Sequence, residues 1–325
     1  MKTFKLASTL ALNNISINRE QALSILDADF NILMCESNRI RMHYHGNSIA
    51  LCSIVNARSG KCSENCKFCA QSAHNSAEID SFDMLPPEKI ISAFNSANEY
   101  PISHFGIVTS GRNEAGGNEN EKVKLINALK NMGKKNAASL CVSIGGIDDK
   151  FLETLKNLGV KRIHHNLETS ETFFPEICST HSYKERIENI KRAKKHGFNV
   201  CSGGLFGLGE TWEDRIDLAL QLQQLEIKSV PLNFLNPMPG TPLENAEPIP
   251  PRDILRIIAI FRFILPTAEI KIAGGREVNL RDMQSWVFTA GATSLMVGDY
   301  LTTKGRGAKQ DIQMIKDLGL RIKDN

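Results

Sequence analysis

No apolar stretch in this chain approaches the roughly 18 residues that a membrane-spanning helix needs. Charge of one sign is also missing: 39 Lys and Arg stand against 36 Asp and Glu, a net +3. The basic residues are scattered rather than run together, so nucleic-acid binding is not indicated. A convincing leader is lacking too. Residues Met1–Asn14 faintly imitate a signal peptide, but the apolar part is short, is broken by Ser8 and Thr9, and is followed by no cleavage-like pattern. No linker or low-complexity segment divides the chain. What it does have is 325 residues, 42% of them apolar, enough to bury a large core. Length alone suggests about two domains, but single α/β barrels often run this long. It also has eight cysteines. Without a leader these point to a reducing cytoplasm and metal chemistry rather than disulfides.

Three of the cysteines are packed together. Cys62, Cys66 and Cys69 form a Cys-x3-Cys-x2-Cys run with Phe68 just before the third. Three thiolates at this spacing can wrap one face of a small metal cluster. A structural zinc site or an ordinary four-iron cluster takes four protein ligands. A four-iron cluster held by three leaves one iron open to a substrate. The alternatives are a zinc knuckle missing a ligand, or chance clustering. The spacing, with its aromatic, resembles the radical S-adenosylmethionine superfamily. That resemblance implies a [4Fe-4S] cluster whose open iron chelates the methionine amino and carboxylate groups, and one-electron cleavage to a 5′-deoxyadenosyl radical.

Short β-branched runs alternate with amphipathic stretches along nearly the whole chain. Strands are expected at Ala50–Val55, His104–Val108, Ser139–Ile144, Arg162–Leu167, Asn199–Gly203, Ser229–Phe234, Glu269–Ala273 and Ser294–Val297. Helical patterns begin near Pro87, Glu121, Asp149, Tyr183, Thr211, Pro251, Val278 and Lys309. Pro87 and Pro251 suit the first helical position, and Thr211 precedes Asp214 by three residues. Gly133, Gly159, Gly197 and Gly291 are candidate helix stops. Strand–helix units repeated eight times predict an α/β fold of the (β/α)8 TIM-barrel type. A doubly wound open sheet is the runner-up. The barrel is expected over residues 49–325, with residues 1–48 a helical N-terminal extension.

Such a barrel carries its active site at the C-terminal strand ends. The three-cysteine run follows strand 1. The glycine-rich Ser202–Glu210 segment follows strand 5, where glycine lets the backbone approach a ligand closely. A tight turn is the bland reading of that segment, but at this position the cofactor reading, with Gly203 and Gly207, is favoured. Cys52, Cys141 and Cys201 fall in strands 1, 3 and 5, and Lys271 in strand 7. Barrel interiors fill in layers drawn from alternate strands, so these four can form one layer. A lone mid-strand Cys is usually an inert small hydrophobe. Three facing a lysine that is costly to bury unpaired point to a second iron–sulfur site below the first. Cys35 and Cys178 fit neither group and read as ordinary core thiols, Cys178 being the stronger exception. On strand 4, period-2 alternation puts His164, Asn166 and Glu168 on one face. Asn233 stands among apolar neighbours on strand 6. Its amide, like that of Asn166, suits a urea-like group, although capping a strand end is an equal reading.

These residues together resemble the biotin synthase family, from about Ala50 to Leu318. The matching segments are Ser59–Cys69, His165–Ser170, Val200–Glu210, Val230–Asn233, Gly240–Leu243, Ala273–Glu277 and Thr289–Gly298. The resemblance implies sulfur insertion into dethiobiotin, with an auxiliary cluster sacrificed as the sulfur source. It implies that Cys62, Cys66 and Cys69 hold the [4Fe-4S] cluster. Phe68, Glu168, Arg186, Gly203 and Gly207 would contact S-adenosylmethionine, and His164, Asn166 and Asn233 the substrate. Cys141 and Cys201 would be auxiliary ligands. It also implies a cytoplasmic homodimer, an electron donor such as flavodoxin or ferredoxin, and iron–sulfur assembly proteins as partners. Two auxiliary positions depart from the family pattern: Gly106 stands for a third Cys, and Lys271 for an Arg ligand. Cys52 is the natural replacement. Three thiolates and the space at Gly106 would suit a four-iron rather than a two-iron cluster. Rival readings are a maturase-like radical paralogue acting on another small molecule, and a non-catalytic metal or redox module.

Overall fold

Three helices precede the first strand: α1 (Lys2–Leu12), α2 (Arg19–Leu23) and α3 (Phe30–His45). The computed structural model describes residues 2–113, 118–132 and 138–323. The chain then lays down β1 (Ser48–Arg58), β2 (His104–Thr109), β3 (Ser139–Ser143), β4 (Arg162–His164) and β5 (Asn199–Cys201). Next come β6 (Gly204–Phe206), β7 (Ser229–Phe234), β8 (Glu269–Ile272) and β9 (Ser294–Met296). All pairings are parallel, and β1 pairs with both β2 and β9, so the sheet closes. Strands β5 and β6 are two pieces of one stave, both paired to β7. With those two counted together, eight staves make the barrel expected from the sequence. A last short strand, β10 (Arg321–Ile322), pairs with the start of β1.

Helices α4 (Pro87–Ala97), α5 (Glu119–Met132) and α6 (Asp149–Asn157) return the chain between the first staves. Then come the one-turn α7 (Phe174–Ile177), α8 (Tyr183–Lys195), α9 (Trp212–Gln224) and α10 (Pro251–Ile264). Their starts follow local chemistry. Thr211 and Asp214 form a reciprocal capping box on α9, as do Ser182 and Glu185 on α8. Pro87 and Pro251 open α4 and α10. Helix α10 is buried on nearly every side from Ile254 to Ile264. One face meets the barrel, where Phe261 packs edge-on against Phe206 at 5.5 Å. The other meets α3, which is also tied to the barrel by Ser37 Oγ donating to Ala290 O at 2.6 Å. Among the described residues no helix is long and apolar enough to cross a membrane.

Three details differ from the sequence expectation. The helix expected near Val278 is broken into α11 (Arg276–Leu280) and α12 (Trp286–Thr289), because Arg281 turns into the left-handed region at φ 50°. The final helix, α13 (Ala308–Asp317), starts where expected. The fourth strand stops at His164 rather than Leu167, and the fifth at Cys201 rather than Gly203. There the two segments exchange the regular ladder for local bonds. Leu167 N and Glu168 N both donate to Gly203 O, and Gly203 N donates to Asn166 Oδ1 at 3.1 Å. Gly133 lies outside the described residues.

Arg262 of α10 is fully buried beneath the barrel wall. Its guanidinium donates to the carbonyls of Leu265, Pro266, Ala268 and Gly291. A buried cation so placed repels a second one, and His45 Nε2 lies 3.2 Å away. Burial, and then Arg262, push the His45 imidazole down to about 4. The unfolded chain therefore takes up this proton first, near 6.5. The stability that neutral His45 contributes is present above pH 6.5 and is lost as pH falls toward 4. Urea midpoints measured across that range should decline in the parent protein and decline less in His45→Gln.

Candidate active site

A cavity of about 900 Å³ occupies the barrel mouth and runs down into its interior. That volume suits a cofactor and a small substrate together. Its walls carry two sets of thiols. The first set sits on the loop that leaves β1. Cys66 is buried, and Cys62 and Cys69 are half-buried. The loop is held by its own backbone: Cys62 N donates to Gln71 O, Ala73 N to Cys62 O, and Cys69 N to Cys66 O. Asn75 Nδ2 donates to the carbonyls of Cys66 and Cys69. Ser76 N reaches Gly240 O and Lys67 N reaches Ile177 O, which fasten the loop to two neighbouring segments. All three thiols and Phe68 line the cavity. Burial pushes the Cys69 thiol up to about 11. A hydrogen bond to Cys178, and then burial, push Cys66 up as well. A metal would be needed to draw off these protons. Soft donors converging on open space, with no fourth on the loop, fit a four-iron cluster with one open iron.

Beside this loop stands Arg186 of α8. Its Nε donates to His181 Nε2 at 3.0 Å and its Nη1 to Asn166 O at 2.8 Å. Glu168 lies 3.8 Å away, and the Phe174 ring lies beneath the guanidinium. His181 Nδ1 in turn contacts Glu64, a buried carboxylate on the three-cysteine loop. Glu168 adopts φ 71°, a left-handed conformation that is costly for a residue with a Cβ. The chain leaves β4 there, so strand alternation does not set these positions. His164, His165, Asn166 and Glu168 all line the cavity regardless.

The second set lies deeper. Cys52, Cys141, Cys201 and Lys271 are all buried, on β1, β3, β5 and β8, and all line the cavity. Lys271 Nζ lies 4.0 Å from Cys201 Sγ, and Ser229 Oγ donates to the same sulfur at 3.4 Å. Below them is a charged floor not anticipated from the sequence. Glu269 meets Arg162 at 3.6 Å, His104 at 3.7 Å and Lys271 at 3.8 Å. Burial pushes the Cys201 thiol up, but the Lys271 cation, a hydrogen bond from His164 and the Arg162 charge outweigh it and bring it down to about 6. Burial dominates at Cys52 and Cys141, whose thiols are pushed up. Three thiols over two cations fit an anionic iron–sulfur cluster. The space expected at Gly106 is partly taken: a Cβ there would lie 3.0 Å from Ile54 Cγ2.

Other predicted residues divide. Asn233 lines the cavity and also bridges backbone, donating to Gly204 O and accepting from Gly274 N. Gly203 and Gly207 do not line it. A Cβ at Gly203 would collide with Pro231 O at 1.9 Å, so that glycine serves the approach of two staves rather than of a cofactor. Gly207 N donates to the Glu210 carboxylate. Cys35 is exposed on α3. Cys178, read as core filler, instead faces Cys66 across 3.7 Å. The Cys-x2-His spacing of Cys178 and His181 was the signal for it.

Comparison with known proteins bears on the fold and the family. The Radical SAM superfamily matches residues 57–222, and the Biotin and Thiamin Synthesis associated domain matches residues 231–321. A biotin synthase from Endomicrobium trichonymphae is 50% identical over 309 residues, covering 95% of this chain and 95% of that one. A biotin synthase from Geotalea uraniireducens is 45% identical over 312 residues, covering 95% and 94%. Among solved structures, methylornithine synthase superposes with a TM-score of 0.84 at 18% identity, covering 98% and 97%. The FeFe-hydrogenase maturase from Carboxydothermus hydrogenoformans gives 0.81 at 17%, covering 99% and 79%. At those identities the two structures speak to the barrel alone. The curated relatives, alike across nearly the whole of both chains, place this protein in the biotin synthase family of radical S-adenosylmethionine enzymes.

Proposed function

We propose that this chain is a biotin synthase that inserts sulfur into dethiobiotin, using two iron–sulfur clusters at two depths of one barrel. The observation that carries the reading is the pair of thiol sets lining a single cavity. Cys62, Cys66 and Cys69 would hold the [4Fe-4S] cluster, which when bound supplies the electron that cleaves S-adenosylmethionine. Arg186 is clamped by His181 and by the Asn166 carbonyl, a rigid cation suited to the cofactor's carboxylate. Glu168 is turned into the cavity beside it and suits the ribose hydroxyls. Phe68 supplies apolar wall.

Dethiobiotin would lie between the two depths. Asn166 and Asn233 each spend part of their amide on backbone and keep hydrogen-bonding capacity for a urea group. His164 is the third polar group at this level. Cys52, Cys141 and Cys201 would hold the auxiliary cluster, from which sulfur is drawn. Lys271 and Arg162 balance its charge, while Glu269 keeps the two cations apart. Ile54 limits the space at Gly106, so a four-iron cluster would need that side chain to turn. In this reading residues 49–325 form the catalytic barrel and residues 1–48 its helical extension. Electrons come from a flavodoxin- or ferredoxin-type donor, and iron–sulfur assembly proteins fill the sites. The enzyme works in the cytoplasm as a homodimer.

The direct test is anaerobic reconstitution with iron and sulfide, followed by counting of deoxyadenosine and biotin. Replacing Cys62, Cys66 or Cys69 by Ala should abolish deoxyadenosine while leaving the barrel folded by circular dichroism. Normal deoxyadenosine from any of the three would sink the assignment.

Asn233→Ala should lower dethiobiotin turnover and also the unfolding midpoint, because Gly274 N and Gly204 O lose their partner. Losing one neutral hydrogen bond and stranding its partner costs about 1–3 kcal/mol, or about 5- to 150-fold in kcat/KM. Asn166→Ala should show the same loss together with a lower unfolding midpoint, because Gly203 N loses its acceptor. Unchanged turnover in both would move the substrate elsewhere.

Cys52→Ala should lose auxiliary iron and sulfide, keep deoxyadenosine production and form little biotin. Lys271→Met should retain part of the auxiliary cluster. Full biotin yield from Cys52→Ala would return Cys52 to the role of core filler.

A further inference from the structure

Cys178 is a buried sulfur that the proposed reaction does not use. It ends α7, and its Sγ lies 3.7 Å from Cys66 Sγ and 3.3 Å from His181 Nδ1. The three ligand atoms of Cys66, Cys178 and His181 lie within 4.8 Å of one another. Glu64 contacts the same Nδ1, and Thr180 Oγ1 donates to Glu64 Oε2 at 2.8 Å. Two thiols and an imidazole, with a carboxylate at the side, are the donors that zinc takes. The two separations from Cys178 are also those found around a single ion. A tetrahedral cation about 2.3 Å from each sulfur and about 2.0 Å from nitrogen sets S···S near 3.8 Å and S···N near 3.5 Å. The Cys178-x2-His181 loop delivers two of these ligands, and the three-cysteine loop delivers the third.

We propose that before cluster assembly Cys66, Cys178 and His181 hold one divalent transition cation of the zinc class, with Glu64 beside the fourth position. Cys66 cannot serve this site and the radical cluster at once. That consequence, though not the site itself, rests on the reading of Cys66 as a cluster ligand. The cation also displaces Arg186. In the metal-free chain Arg186 Nε donates to His181 Nε2, so the ring proton sits on Nδ1. A cation on Nδ1 shifts that proton to Nε2, where it faces the Arg186 N–H, and the guanidinium must turn away. An occupied site therefore withholds a cluster ligand and disturbs the arginine proposed for the cofactor carboxylate.

The test uses full-length protein freed of iron and kept reduced and anaerobic, titrated with Co2+ and then with competing Zn2+. The tightest equivalent of Co2+ should show thiolate charge-transfer absorption and the intense visible bands of a tetrahedral ion. Cys178→Ser and His181→Gln should weaken it by more than about 100-fold, since even outer-shell changes cost roughly 10–100-fold. Cys62→Ser and Cys69→Ser should keep the spectrum. Loss in Cys62→Ser and Cys69→Ser with full binding in Cys178→Ser would assign the cation to the three-cysteine loop and overturn the proposal. X-ray absorption on the parent protein guards against a variant that fails to fold. Two sulfurs and at least one nitrogen around cobalt support the site, and three sulfurs refute it. Neither measurement needs S-adenosylmethionine or dethiobiotin. A chain that binds Co2+ as expected yet cleaves no S-adenosylmethionine would keep this site and lose the functional reading.

Discussion

Closure of the sheet between β1 and β9 governs the rest of this molecule. Once the staves meet, every second side chain points into one narrow interior, and that interior must be filled. Most barrels fill it with branched aliphatics. This one places three thiols and a lysine there, over Glu269, Arg162 and His104. Taking such ions out of water costs several kcal/mol each unless they are paired. Glu269 meets three cationic or basic partners and is held well below the usual carboxylate range by them, against its own burial. The carboxylate thus makes the buried Lys271 and the half-buried Arg162 tolerable, and their charge lowers the Cys201 thiol.

The mouth of the barrel works on a different principle. Its groups come from loops, and they are held by side chains that bond backbone. Asn166 takes the Gly203 N–H where the ladder between the fourth and fifth staves stops, and Asn75 fastens two cysteine carbonyls. Arg186 is reached through His181 from Glu64, so the loop with the thiols and the helix with the arginine are set against one another. The interior is positioned by strand register, and the mouth by a short chain of polar contacts.

That division explains what could be read from the sequence. Cys52, Cys141, Cys201 and Lys271 were legible because a closed barrel fills its interior in layers drawn from alternate strands. Cys62, Cys66 and Cys69 were legible because they are neighbours in the chain. Cys178 was not, because its contact with Cys66 joins loops 112 residues apart. Arg162 and Glu269 were taken only as strand ends, since their roles depend on facing each other across the barrel. Gly203 and Gly207 looked like ligand-facing glycines. Backbone freedom in a sequence does not say whether the close neighbour is a cofactor or, as at Gly203, the next stave.

The two thiol sets share one cavity, and this has a bearing on how the protein is filled. Among the described residues, Cys52, Cys141 and Cys201 line its deep end while Cys62, Cys66 and Cys69 line its mouth. Iron and sulfide reaching the deep layer through the mouth would pass the shallow thiols. A completed shallow cluster with its cofactor would stand in that path. Under the proposed function the inner place would therefore be filled before the outer one. Sulfur drawn from the inner place in the proposed reaction would be replaced only after the outer occupants step aside.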